Sequence, residues 1–130
     1  MFTLNKVLND INDKCKEFDY IMIHSDIKEL LYLEDYQIIR TKFFDLFKKL
    51  IKNNKTVIIP TFNWDFCKGI EYNYLNTETK VGTLSKWCLE NELFERTDDP
   101  INSCSVCGIN KKKFLNIEYK SAFGKDSIFD

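Results

Sequence analysis

The sequence predicts an α/β fold, a mostly parallel or mixed central sheet with flanking helices. Three observations carry this expectation. Two short runs rich in β-branched residues, 20–24 and 56–61, bracket a helical stretch with short joints on either side. An amphipathic segment precedes the first run. A further apolar segment, 104–109, follows the second. Strand, helix, strand with such joints is a βαβ unit, whose strands run parallel with a right-handed crossover.

Each element has a local reason. Leu4, Val7, Leu8, Ile11 and Cys15 fall at helical spacing with polar residues between them, which predicts the first helix. Tyr20-Ile-Met-Ile-His24 reads as a buried strand, followed at once by Ser25-Asp26, with Asp26 placed to cap what comes next. Over 35–52, Ile38, Ile39, Phe43, Leu46, Phe47, Leu50 and Ile51 make one wide apolar stripe. Asp35 opens that helix and Lys48, Lys49 and Lys52 close it, which suits the helix dipole. Asn53-Asn54 stops it, and Thr56-Val-Ile-Ile-Pro60-Thr61 is the second strand. Residues 62–82 show little periodicity and are rich in Asn, Tyr and Thr; a loop of that length in a compact domain is usually functional or ordered by a ligand. Thr83 is expected to N-cap a short helix reaching Leu89. A polar turn from Arg96 to Ser103, the apolar strand 104–109, a short helix opened by Lys111 and a closing turn around Gly124 complete the chain. Without repeat, linker or low-complexity tract, residues 1–130 read as a single α/β domain.

Composition narrows the function class. Apolar residues make up 44% and aromatics 15%, with only 4 Gly and 2 Pro, which excludes a disordered or collagen-like chain. The net charge of −1 argues against a nucleic-acid or membrane-surface protein, because neither polyanion would be held by overall charge. No apolar run approaches the ~18–20 residues that span a bilayer, and no signal peptide is evident. Five cysteines without framework spacing read as reduced thiols, hence a cytoplasmic protein. Cys104-Ser-Val-Cys107 is a CxxC, yet zinc needs two more ligands and His24 is the only histidine; buried structural thiols are the favoured reading, and no metal is expected.

In open α/β sheets, ligands gather outside the carboxyl ends of the strands. The segments delivered there are His24-Ser-Asp-Ile27 and Thr61-Phe-Asn-Trp64. His24 is the residue type that exchanges a proton near neutral pH, and reads either as a base or as a hydrogen-bonded strand boundary. Ser25, Asp26 and Ile27 form a turn that either presents N–H groups to a phosphate or simply caps the next element. Arg96, one of two arginines, reads equally as an anion clamp or as part of a local salt bridge with Asp98 or Asp99. Trp64 and Phe66 either stack on a ring-shaped substrate or cover the sheet. No Walker lysine loop, dinucleotide glycine fingerprint or nucleophile elbow is present.

Six segments in order carry a family resemblance: Ile21-Met-Ile-His24-Ser25, Val57-Ile-Ile-Pro60-Thr61, Val81-Gly82-Thr-Leu-Ser-Lys86, Arg96-Thr-Asp-Asp-Pro100-Ile-Asn-Ser103, Cys107-Gly108 and Gly124-Lys-Asp-Ser127-Ile-Phe129. Together they resemble the aminoglycoside 3-N-acetyltransferases, antibiotic N-acetyltransferases that use acetyl-CoA. The resemblance implies an α/β/α fold of that type, acetyl-CoA as co-substrate, and direct attack of an amine on its thioester. Carried onto this chain, it implies a coenzyme site of His24, Ser25, Asp26, Ile27, Thr83, Arg96 and Ser103. It implies an acceptor site for a small-molecule substrate at Thr61, Asn63, Trp64 and Asp99.

The departures bear on the acceptor. Lys86 stands where the family has Glu, Asp99 replaces the His before Pro100, and Asp26 replaces a small residue. Exchanging a carboxylate for an ammonium disfavours a polycationic aminoglycoside, so an amino sugar is the other expected acceptor. Family members continue past the Gly124 turn into a region that supplies the histidine deprotonating the acceptor, and this sequence has none after His24. A positioned base contributes ~10²–10⁴-fold in rate. Residues 1–130 are therefore expected to be the N-terminal part of a longer fold with little turnover; the alternative is a non-catalytic fragment or partner-binding domain retaining the coenzyme-side surface. A partial sheet leaves an unpaired edge, so self-association is expected.

Overall fold

The computed structural model describes residues 2–118 and 120–130. The predicted βαβ unit is present. Helix α1, Leu4–Cys15, starts at Thr3, whose hydroxyl accepts from the Lys6 N–H at 3.2 Å, and buries Leu4, Leu8 and Cys15. Strand β1 is Tyr20–Met22, shorter than the run to His24 and buried only at Ile21 rather than throughout, because it is an edge strand. It leads through a 3₁₀ turn, Lys28–Tyr32, to helix α2, Tyr36–Lys52. Asp35 caps α2, its carboxylate accepting from the Gln37 N–H at 2.8 Å. The stripe on α2 is rotated slightly from the one the sequence predicts. Phe44 is buried and Ile38 is not. Asn54 ends the helix with φ of 62°, a left-handed position that asparagine tolerates.

Strand β2, Thr56–Pro60, is buried at every residue because it is paired on both sides. β1 pairs with it in parallel, Tyr20 opposite Thr56 and Met22 opposite Ile58. After the 62–82 loop come helix α3, Thr83–Leu89, strand β3, Glu95–Arg96, strand β4, Cys104–Gly108, and helix α4, Lys111–Leu115. The sheet order is β1-β2-β4-β3, and β4 is antiparallel to both β2 and β3. The sheet is thus mixed, one of the two arrangements expected. Gly82, not Thr83, occupies the position before α3, with φ of 114° and no side-chain capping bond; Thr83 is the first helical residue.

The two sheet faces are unequal. Val57, Ile59 and Cys107 join the α1, α2 and α3 side chains in the main core, which also holds Ile27, Phe47, Trp87 and Phe94. Ile58, Cys104 and Val106 face the other way, under Phe62, Phe114, Ile128 and Phe129. Alternation along β4 therefore sends the two cysteines of the CxxC to opposite faces. They cannot share a metal or form a disulfide. Burial pushes each thiol up to about 12. Cys15 and Cys88 are buried too, and Cys67 alone is exposed. A native thiol titration is expected to find one fast-reacting group, lost in Cys67→Ser; rapid reaction of two or more would contradict this packing.

Candidate functional site

The parallel pairing of β1 and β2 brings their carboxyl ends side by side, and the ladder extends past β1 through the Ile23 N–H to Ile58 O at 3.0 Å. Beyond it the chain turns. Ile27 is inserted in the main core, so its side chain anchors the turn and is unavailable to a ligand. That anchor leaves His24 and Asp26 exposed. Asp26 accepts from the Lys28 N–H at 3.0 Å just ahead of the 3₁₀ turn. Ile27, not Asp26, stands at the cap position of that turn, and the Asp26 bond closes a local turn of its own.

An open cleft of about 500 Å³ lies against this turn. His24, Ser25, Asp26 and Lys28 form one wall and residues 80–83 the other. The second wall is held at its base by α3, whose Ser85 hydroxyl donates to Pro60 O at 2.6 Å. Gly82 sits close to the first wall: a Cβ there would lie 3.7 Å from Ser25 O. The Ser25 hydroxyl oxygen is buried in the wall without a hydrogen-bond partner. Lys28 is largely exposed and 3.9 Å from Asp26; Lys80 pairs with Asp65 at 2.6 Å. That pair, with the hydrogen bond from Lys80 as the larger cause, holds the Asp65 carboxyl below its ordinary value. A depressed carboxylate contributes while ionised, so the tie between Lys80 and Asp65 is present at neutral pH and lost as acid protonates Asp65.

The other nominated residues lie elsewhere. Thr61 is fully buried; its hydroxyl is 2.9 Å from that of Ser103, which in turn donates to Thr61 O. Arg96 donates through Nε to the Ser103 hydroxyl at 2.9 Å, through Nη2 to Thr61 O at 3.0 Å and through Nη1 to Thr77 O. Its guanidinium also lies 5.1 Å from the Tyr72 ring centre. Burial raises the Tyr72 phenol, whose hydroxyl donates to Thr97 O. Asn63 is buried, donating to Glu78 O and accepting from the Asp65 N–H, both at 2.7 Å. Asp99 closes its own turn, accepting from the N–H groups of Ile101 and Asn102. Trp64 remains about half exposed.

The residues nominated near the strand ends thus divide into an open cleft with His24, Ser25, Asp26 and Thr83, and an internal network of Thr61, Arg96 and Ser103, with Asn63 buried and tied to Glu78 and Asp65. The physical reason is that β4 runs antiparallel beside β2. Ser103, preceding β4, is thereby set against Thr61, following β2, and each satisfies the other's polar groups. Lys28 and Lys80 were not singled out from the sequence. Lys80 could have been, since it directly precedes Val81-Gly82.

No protein-family model matches the chain. No curated protein does either. Solved structures do. The YokD protein from Bacillus subtilis superposes with a TM-score of 0.72 at 16% identity, over 97% of this chain and 58% of its own. AAC-IIIb, in a binary complex with CoASH, gives 0.72 at 12% identity over 97% and 53%. The aminoglycoside acetyltransferase AAC(3)-IVa apoenzyme gives 0.64 at 10% identity over 90% and 44%.

The fold is that of the aminoglycoside 3-N-acetyltransferases. At these identities the likeness is one of fold, and the chain spans about half the length of the acetyltransferases it matches. Among the described residues, no helix is long and apolar enough to cross a membrane and no group of three or more His, Cys, Asp or Glu could hold a metal.

Proposed function

We propose that the cleft between the Ser25 turn and residues 80–83 takes the diphosphate of acetyl-CoA. The chain would then be the coenzyme-binding part of an N-acetyltransferase acting on an amino group of an aminoglycoside or amino sugar. One observation carries the reading: the wall of a cleft edged by Lys28 and Lys80 holds the Ser25 hydroxyl, buried without a hydrogen-bond partner. An unmade bond at a buried hydroxyl costs about 1–3 kcal/mol, a cost that an anionic acceptor would remove. The lining supplies donors for a diphosphate, the Thr83 hydroxyl and the exposed Lys28 ammonium, with Lys80 at the edge where it is tied to Asp65, against the Asp26 carboxylate.

Acetyl-CoA supplies the acetyl group activated as a thioester. This chain's residues contribute binding and orientation. The net charge of −1 offers no long-range steering of a polyanion, so affinity rests on these local donors. Trp64 and Asp99 are proposed for the acceptor side, Trp64 by stacking an exposed indole on a sugar ring. Five unpaired cysteines, four of them buried, support a reducing, cytoplasmic setting.

Calorimetric titration with CoA tests the coenzyme reading. Thr83→Ala and Lys28→Ala, which remove donors from the cleft lining, are each expected to weaken binding several-fold, with Lys28, largely exposed, leaving the melting temperature unchanged. Equal affinity in wild type and both variants would sink the placement. Acetyl-transfer assays over a panel of amino sugars and aminoglycosides then test the reaction; CoA binding with no transfer to any of them leaves the non-catalytic, coenzyme-binding reading.

β1 forms one edge of the sheet and exposes Tyr20 and Met22. Residues 1–130 are therefore expected to self-associate. Light scattering on a size-exclusion column that gave only monomer mass at every concentration would count against it.

A further inference from the structure

We propose that Arg96 is a positioning residue for the cleft: its guanidinium sets the course of the 62–82 loop and so holds Lys80 and Gly82 opposite Ser25. The ligand in this proposal rests on the coenzyme reading above; the placement concerns only this chain's own backbone.

The loop has little regular structure, and side-chain and backbone bonds hold it. Its one regular element is the four-residue 3₁₀ turn Asp65–Lys68. From there the chain runs out past Tyr72 and returns through Thr77 to Gly82. Arg96 touches both limbs, the ring of Tyr72 on the way out and Thr77 O on the way back. The same guanidinium reaches Thr61 O after β2 and the Ser103 hydroxyl before β4. One planar cation therefore joins both loop limbs to the ends of the two central strands. Hydrogen bonds from a charged donor to carbonyl oxygens are stronger than neutral ones, and this site is half-buried, where water competes less.

The clamp passes directly to the cleft. Next to Thr77, Glu78 O accepts from the Asn63 side chain at 2.7 Å. Two residues on, the Lys80 N–H donates to Phe62 O at 2.8 Å, and the Lys80 ammonium meets Asp65. Then come Val81, Gly82 and Thr83 of the cleft wall. Residues 77–82 form neither helix nor strand, so the wall is fixed by these ties together with local bonds such as the Thr77 N–H to Asn73 O at 2.8 Å. Arg96 supplies the one that anchors the limb to the far side of the sheet end. The main core contains Phe94 and none of these polar groups, so Arg96 can be changed without emptying it.

Lysine is a poor substitute. A single ammonium cannot reach three acceptors spread along a fork, nor stack as a plane on Tyr72. The experiment is hydrogen exchange on wild type, Arg96→Lys and Arg96→Ala, paired with CoA titration. In both variants the hydrogen-bonded amides of 77–83, Thr77 and Lys80 above all, are expected to exchange about tenfold faster or more, while Ile58 and Val106 keep their protection. CoA affinity is expected to fall about tenfold in both. Added guanidinium ion should restore both readouts in part for Arg96→Ala, whose slot is vacant, and not for Arg96→Lys.

Unchanged exchange over 77–83, or wild-type behaviour in Arg96→Lys, would overturn the proposal. So would equal loss of protection in β2 and β4, which would make Arg96 a general stabilising residue. If wild type itself binds no CoA, the coenzyme reading fails, and the exchange pattern still decides the role of Arg96.

Discussion

Replacing Gly108 with alanine is expected to lower the stability of the fold by about 3 kcal/mol or more. Gly108 ends β4 opposite Thr56 with φ of 114°, a region that costs an L-residue strain. A Cβ there would sit 2.3 Å from Lys55 O and 2.8 Å from the Thr56 Cα, both backbone atoms. Neither can move aside as a flexible side chain would. Relieving the clash means shifting the start of β2, the strand to which both β1 and β4 are bonded. Urea denaturation of the two proteins is the measurement; a variant midpoint equal to that of wild type would show that the close approach is wrong.

The second large effect is in the main core. Phe47 is fully buried, with ring centres of Phe44 at 5.5 Å, Phe94 at 5.4 Å and Phe43 at 6.1 Å around it. Phe47→Ala is expected to cost about 3–5 kcal/mol, transfer plus cavity, and Phe47→Leu clearly less. For a domain this size, with stability of about 5–15 kcal/mol, that loss approaches unfolding. The two nearest rings lie edge-on, and about 0.5–1.5 kcal/mol per aromatic pair is included in that loss. Thermal melts followed by circular dichroism distinguish the two variants; equal melting points for Ala and Leu would mean the site collapses freely and the ring packing is loose.

Much of the frame was legible from residues alone, for local reasons. The apolar spacing in α1 and α2 and the cap at Asp35 write their outcomes in neighbouring positions. The same holds for the β-branched run in β2. The βαβ unit followed from short joints and handedness. The His24 turn was legible because it is the direct continuation of β1. The fate of Thr61, Arg96 and Ser103 was not. Each is polar, near a strand end and compatible with a ligand. Nothing in the 62–103 stretch announces that β4 will return antiparallel beside β2. The pairing of Thr61 with Ser103 spans 42 residues, and that of Arg96 with Thr77 spans 19.

The amino-acid order by itself determined the α/β class, the first three elements, the parallel pair and the turn bearing His24 and Ser25. All of these depend on contacts between near neighbours or on one short crossover. Only the tertiary structure decided which polar residues face solvent and which satisfy one another. It sent Arg96 inward as a clamp, and it brought Lys80 and Gly82 across from Ser25 to make the cleft. The reason is that a buried polar group must find its partner wherever the chain returns, and a long loop returns to a place that local periodicity does not encode.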